Sequence, residues 1–175
     1  RFISDKKAVF GPKFGVGSPL YEHHTTSLVF NDPPLHTRVR KVMVGAMNPR
    51  ALAQMEPGLE RLVESLLDDM ENQLQVDLVD SFAGAIPIEV IGNLLNIPRD
   101  ERGPLRAWSL AILGALEPKL NAKQLQVGHQ AVTDFKNFLR HIIDDRASHP
   151  GDPEVDVLTR LMQSEGASLT EVELY

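Results

Sequence analysis

The sequence has no cysteine, which excludes disulfides, thiolate metal sites and cysteine nucleophiles within these residues. It has no apolar run of the ~18 to 20 residues needed to span a bilayer, and no signal-peptide pattern at its start. Positive charge is not in excess. Eighteen Lys and Arg stand against 24 Asp and Glu, giving a net charge of −6, so no nucleic-acid or membrane partner is expected for the whole chain. Repeats and low-complexity tracts are absent, and no linker divides the chain. The expectation is one soluble, cytoplasmic unit.

Several catalytic signatures are missing too. The glycines at 11, 15 and 17 fit neither a P-loop nor a dinucleotide fingerprint, because no Lys-Ser/Thr follows and no strand-to-helix switch is visible. Glu22, His23 and His24 invite a metal reading, but adjacent histidines on a loop rarely converge on one ion, and no HExxH framework exists. They read as a polar loop, and no metal is expected. A Ser/His/Asp triad or a paired-carboxylate site cannot be argued from residue order alone.

What is present is mainly helical. The 175 residues are 42% hydrophobic and 24% charged, enough for a sizeable core. Residues 1–5 read as the end of a strand or helix, and residues 6–27, rich in Gly and Pro, as a long loop with at most one helical turn. A helix from Asn48-Pro49 to about Asn72 carries Leu52, Met55, Leu59, Leu62, Val63 and Leu66 on one stripe, interrupted mildly by Pro57-Gly58. Residues 75–78 suit a short strand. Residues 80–96 form a helix that is apolar nearly all round, with Glu89 its only acid past the first position. Pro87 is placed to kink or restart it. Further helices follow at 100–116, 122–147 and 156–163. Thr170 to Glu173 is a capping box that announces another. Both ends look cut, so the chain reads as a single incomplete domain over residues 1–175.

The most informative stretch is 31–50, NDPPLHTRVRKVMVGAMNPR. Asp32 is suited to an N-cap and Pro33 to a first helical position. Leu35, Val39, Val42 and Ala46 make one apolar face, with Arg38, Lys41 and Gly45 opposite. His36 and Arg40 lie four apart on a third stripe, beside Met43 and Met47. An imidazole and a guanidinium next to two thioethers suit the acidic edge of a large apolar ligand. The spacing also suits a solvated basic flank, which spacing alone favours.

The run Asp-Pro-Pro-x-His-x-x-x-Arg, followed by Asn48-Pro49-Arg50, resembles the C helix of bacterial cytochromes P-450, the haem-thiolate monooxygenases. The order of the remaining helices is similar as well, so the resemblance covers essentially the whole chain. It implies the N-terminal helical half of that fold, helices C to H, with at most short strand segments. It also implies haem as cofactor, with His36 and Arg40 on its propionates. The loop at 6–30 and the helix at 100–116 would wall the substrate pocket, through His24, Val29, Leu110, Leu113 and Gly114. For those apolar positions the competing reading is core packing. Arg38 and Lys41 would face an acidic ferredoxin or flavodoxin; simple solvation is the alternative.

Departures from the family matter equally. The cysteine that binds iron, the Glu-x-x-Arg pair and the I-helix acid/alcohol pair are all absent from these residues. The resemblance therefore implies part of an enzyme that hydroxylates a small apolar or amphipathic organic substrate with O₂ and donated electrons, a part inactive alone. The alternative is a haem-free helical binding module in which the motif is inherited packing.

Overall fold

The computed structural model describes residues 6–47, 49–154 and 156–164. Eight α-helices account for most of them, and no strand occurs among the described residues. In order they are α1 (Lys6–Phe14), α2 (Pro19–Thr26), α3 (Leu35–Ala46), α4 (Pro49–Glu71), α5 (Ala85–Leu94), α6 (Gly103–Gly114), α7 (Ala122–Ser148) and α8 (Val157–Ser164). The stretches expected at residues 1–5 and 170–173 lie outside the described residues.

The first correction concerns residues 6–27, which form α1 and α2 rather than a loop. Local chemistry starts α2: Ser18 accepts from the Tyr21 N–H at 3.3 Å, and Pro19 occupies the first turn, where its missing N–H costs nothing. Gly15 and Gly17, at φ +83° and +81°, make the turn between the helices. Tertiary burial does the rest. Phe10, Phe14 and Leu20 are buried with Ile112 and Ala115 from the end of α6 and with Ala131 and Val132 of α7. Burying side chains of that size contributes roughly 1.5–3 kcal/mol each, enough to hold short helices of poor propensity.

A second apolar cluster joins Ile97, Leu105, Ile142 and Leu158, so α6, α7 and α8 share a core. Trp108 and Phe135 pack against both clusters. The capping box at the start of α7 is complete: Asn121 accepts from the Gln124 N–H at 2.8 Å, and Gln124 returns the bond at 2.9 Å. Helix α4 runs unbroken through Pro57. Its apolar stripe is covered only in part, with Leu52 and Leu67 exposed.

Three further boundaries differ from expectation. Residues 75–78 are not a strand; Asp77 caps the next turn instead, its Oδ1 accepting from the Val79 and Asp80 N–H groups. The helix expected over 80–96 is divided. A π turn at Val79–Ala83, closed by the Gly84 N–H on the Val79 carbonyl at 2.8 Å, precedes α5, which restarts at Ala85, ahead of Pro87. Residues 99–101 form a 3₁₀ turn before α6 begins at Gly103.

Candidate functional site

Helix α3 presents the paired residues singled out above. The helix starts two residues later than expected, at Leu35 with Pro34 at its N-cap, and Asp32 contributes its carbonyl to the His36 N–H at 3.2 Å. Two successive prolines supply no N–H, so the first donors available to a helix come after them. Val42 is buried and Leu35 and Val39 half-buried, which seats α3 against α8 and the 3₁₀ turn at Leu28–Phe30. His36 is half-buried and Arg40 exposed one turn later. Neither side chain bonds to any described residue. Met43 and Met47 remain 39% and 37% exposed beside them. The face thus offers an imidazole and a guanidinium with free donors next to uncovered thioethers. Chemically it is able to grip an acid group at the edge of an apolar body. Arg38 and Lys41 are exposed.

The candidate pocket residues are distributed less simply. His24 faces no open space. It is 1% exposed, packed among Phe10, Phe14 and Phe30 at ring-centroid separations of 5.1, 5.0 and 5.2 Å, and its Nδ1 bonds the Leu20 carbonyl at 2.8 Å. A small polar ring inside an aromatic cluster must commit its nitrogen to the backbone, and here it does. Burial pushes its pKa down, the Leu20 hydrogen bond opposes this, and Lys13 adds to the lowering. His23, half-buried beside it, is pushed down to about 4 by burial, with help from His24 and Lys136. The pair is therefore neutral near pH 7 and part of the fold, not a polar loop.

Val29, by contrast, is 83% exposed. Leu110 and Leu113 are 59% and 62% exposed on α6, and Gly114 is exposed after them. Helix α6 thus buries Leu105 and Ile112 and turns a second apolar stripe outward. The structure joins His36 with Arg40 on one helix. It does not bring His24 into contact with α6's outward stripe.

Residue order did not reveal the polar links between α1–α2 and α6–α7. Lys13 Nζ donates to the Leu116 and Glu117 carbonyls at 2.9 and 2.7 Å, and the Leu20 N–H donates to His129 Nδ1 at 3.3 Å. Glu89 was visible as a lone acid in an apolar helix. Its partners are Arg99 and Arg102, each at 2.6 Å.

Comparison with known proteins decides the family. No family model matches the sequence. The polyketide biosynthesis cytochrome P450 PksS of Bacillus subtilis (strain 168) is 32% identical over 150 residues, 85% of this chain and 35% of that protein. The 6-deoxyerythronolide B hydroxylase of Saccharopolyspora erythraea is 31% identical, over 99% of this chain and 44% of the relative. The solved structure of CalO2 superimposes with a TM-score of 0.84 at 25% identity, over 97% of this chain and 42% of that one. This chain belongs to the cytochrome P450 family. It spans between about a third and under half of the length of these P450 relatives, and its fold is part of the P450 fold. P450s use haem. With no cysteine present, the 175 residues hold no axial thiolate for it. No described helix is long and apolar enough to cross a membrane.

Proposed function

We propose that the chain is the N-terminal helical part of a haem-thiolate monooxygenase, and that His36 and Arg40 hold the haem propionates. The observation that carries this reading is the pair itself. A half-buried imidazole and an exposed guanidinium sit four apart on α3, without a bond to any described side chain, in a chain that belongs to the P450 family. Haem bound through a cysteine thiolate supplies the oxygen activation in such an enzyme. This chain's residues bind and orient. His36 and Arg40 donate charge-assisted hydrogen bonds to carboxylates. The exposed Arg38 and Lys41 steer an acidic electron donor of the ferredoxin or flavodoxin type. Val29, Leu110, Leu113 and Gly114 present apolar surface to the substrate. His24 takes no direct part in that surface; it stacks on Phe30, the residue after Val29.

The substrate is an apolar or amphipathic organic molecule, hydroxylated with O₂. The names of two relatives, one assigned to polyketide biosynthesis and one to hydroxylation of 6-deoxyerythronolide B, favour the polyketide class.

The test is a carbon monoxide difference spectrum of the reduced protein as its gene encodes it, with His36→Ala and Arg40→Ala alongside. A red-shifted Soret band, with haem lost more readily from both variants, supports the reading. Absence of any haem band sinks it, and the chain is then a haem-free helical binding module. Unchanged haem retention in both variants removes the role of the pair.

A further inference from the structure

A cleft of about 390 Å³ opens between the π turn, α5 and the start of α6. Its apolar wall includes Leu62 and Ile88; its charged wall is Arg99, Arg102 and Arg106 with Asp80 and Glu89. Three guanidiniums therefore meet two carboxylates, in a chain whose overall charge is −6. The site lies apart from α3 and is not used by the proposed haem reading.

The three arginines differ in how they are held. Arg102 is structural. Its side chain is 10% exposed, with Nε and Nη2 on the Ile97 carbonyl at 2.9 and 2.6 Å and Nη1 on Glu89 at 2.6 Å. Glu89, 12% exposed, is fixed in turn between Arg102 and Arg99. Arg99 and Arg106 stand at the mouth, 75% and 38% exposed. Each spends a single Nη2 on a carboxylate oxygen, Arg99 on Glu89 and Arg106 on Asp80. A guanidinium carries five N–H donors in a rigid fork, so both forks keep donors for another acceptor. Arg106 lies against Gly84, where a Cβ would fall 2.9 Å from its Cζ. That glycine lets the guanidinium rest on the cleft wall.

We propose that this cleft binds an organic phosphomonoester, its phosphate bridging Arg99 and Arg106 and its organic body lying on Leu62 and Ile88. A carboxylate has two oxygens and satisfies one fork. A phosphate presents three free oxygens and satisfies two. Asp80 is 68% exposed, and an ion pair of that exposure is worth little, so it yields its place on Arg106 to the ligand. With Asp80 turned to solvent, three guanidiniums and Glu89 leave two positive charges, which a phosphomonoester dianion neutralises. The apolar wall favours an organic ester over the free ion.

The experiment is calorimetric titration at pH 7.5 of the protein as encoded, with phenyl phosphate, inorganic phosphate and benzoate as probes. Saturable binding of phenyl phosphate is expected, tighter than inorganic phosphate and tighter than benzoate. Arg99→Gln and Arg106→Gln each weaken it by about tenfold, as loss of a charge-assisted bond does. Asp80→Asn, which removes the competing carboxylate, strengthens it, a gain that a purely structural network does not give. At pH 5.5, where most of the ester is a monoanion, binding weakens. Arg99 is mostly exposed, so its variant folds, and a thermal melt checks this. No saturable binding, or binding indifferent to both arginine variants, overturns the proposal. Equal affinity for inorganic and phenyl phosphate overturns the part played by Leu62 and Ile88.

Discussion

Arg146 near the end of α7 and Asp156 at the start of α8 are 2.6 Å apart, with side chains 9% and 4% exposed. The same carboxylate caps α8: Asp156 Oδ1 accepts from the Leu158 and Thr159 N–H groups at 3.0 and 3.1 Å. Arg146 also donates to the Asn96 carbonyl at 3.2 Å. One buried pair thus ties the ends of α5, α7 and α8 together.

Removing one member leaves a buried charge without its partner. Asp156→Ala should cost about 3–5 kcal/mol for the stranded Arg146 and about 1 kcal/mol more for the lost cap. Asp156→Asn keeps the cap and should cost less. Urea unfolding of the three proteins checks the order. If Asp156→Asn proves as damaging as Asp156→Ala, the cap is contributing nothing.

Gly92 on α5 makes room for Arg102. A Cβ there would fall 2.3 Å from Arg102 Nε. Gly92→Ala should therefore push the guanidinium off Ile97 and Glu89, destabilising the fold by roughly 2–3 kcal/mol through unpaired buried groups. Helix propensity alone argues the other way, since Ala is the better former. The double variant Gly92→Ala, Arg102→Ala should be much less than additive. Full additivity would falsify this account of the glycine.

The physical reach of local signals explains what was legible in the sequence. Helices α4 and α7 match their expected spans within a residue or two, because long amphipathic stripes bounded by Asn121 or Pro49 fix them locally. Helices α1 and α2 were hidden by their glycines and prolines. What stabilises them is contact of Phe10, Phe14 and Leu20 with helices about a hundred positions away, which no window reveals. Ser18-Pro19 was the one local clue, a cap followed by a first-turn proline. The stripe holding His36 and Arg40 was legible for the opposite reason: spacing on one helix is a local property. His24 was not, since whether a histidine lies on a surface or in an aromatic cluster is decided by its tertiary neighbours. The proline-rich run before α3 suggested an earlier start than the backbone takes.

Acid should weaken the α2–α7 region first. Burial lowers the pKa of His23, His24 and His129, that of His23 to about 4. The unfolded chain takes up these protons near 6.5, before the folded one does. Stability from the neutral imidazoles is complete above that value and declines as pH falls toward 4. The Leu20 N–H bond to His129 Nδ1 fails in the same direction, because a protonated Nδ1 cannot accept. Unfolding free energies at pH 7, 5.5 and 4.5 should fall more steeply for the parent than for His23→Gln. Parallel slopes would remove His23 from the account.

Lys13 closes the end of α6. Its Nζ reaches the Leu116 and Glu117 carbonyls, just past the helix that ends at Gly114. Carbonyls at a helix C-terminus lack intrahelical donors and sit at the negative end of the dipole, so an ammonium there is doubly favoured. Lys13→Met keeps the aliphatic stem against Phe14, whose ring centroid lies 5.3 Å from Nζ, and removes only the donors. The expected loss is about 1 kcal/mol, with faster amide exchange confined to α1 and the turn after α6. Lys13→Arg should restore most of the protection, since its fork reaches the same two acceptors. Exchange that accelerates evenly along the chain would mean Lys13 supports the whole core and not this junction. Unchanged exchange in α1 would mean the apolar contacts of Phe10 and Phe14 hold the helix without it.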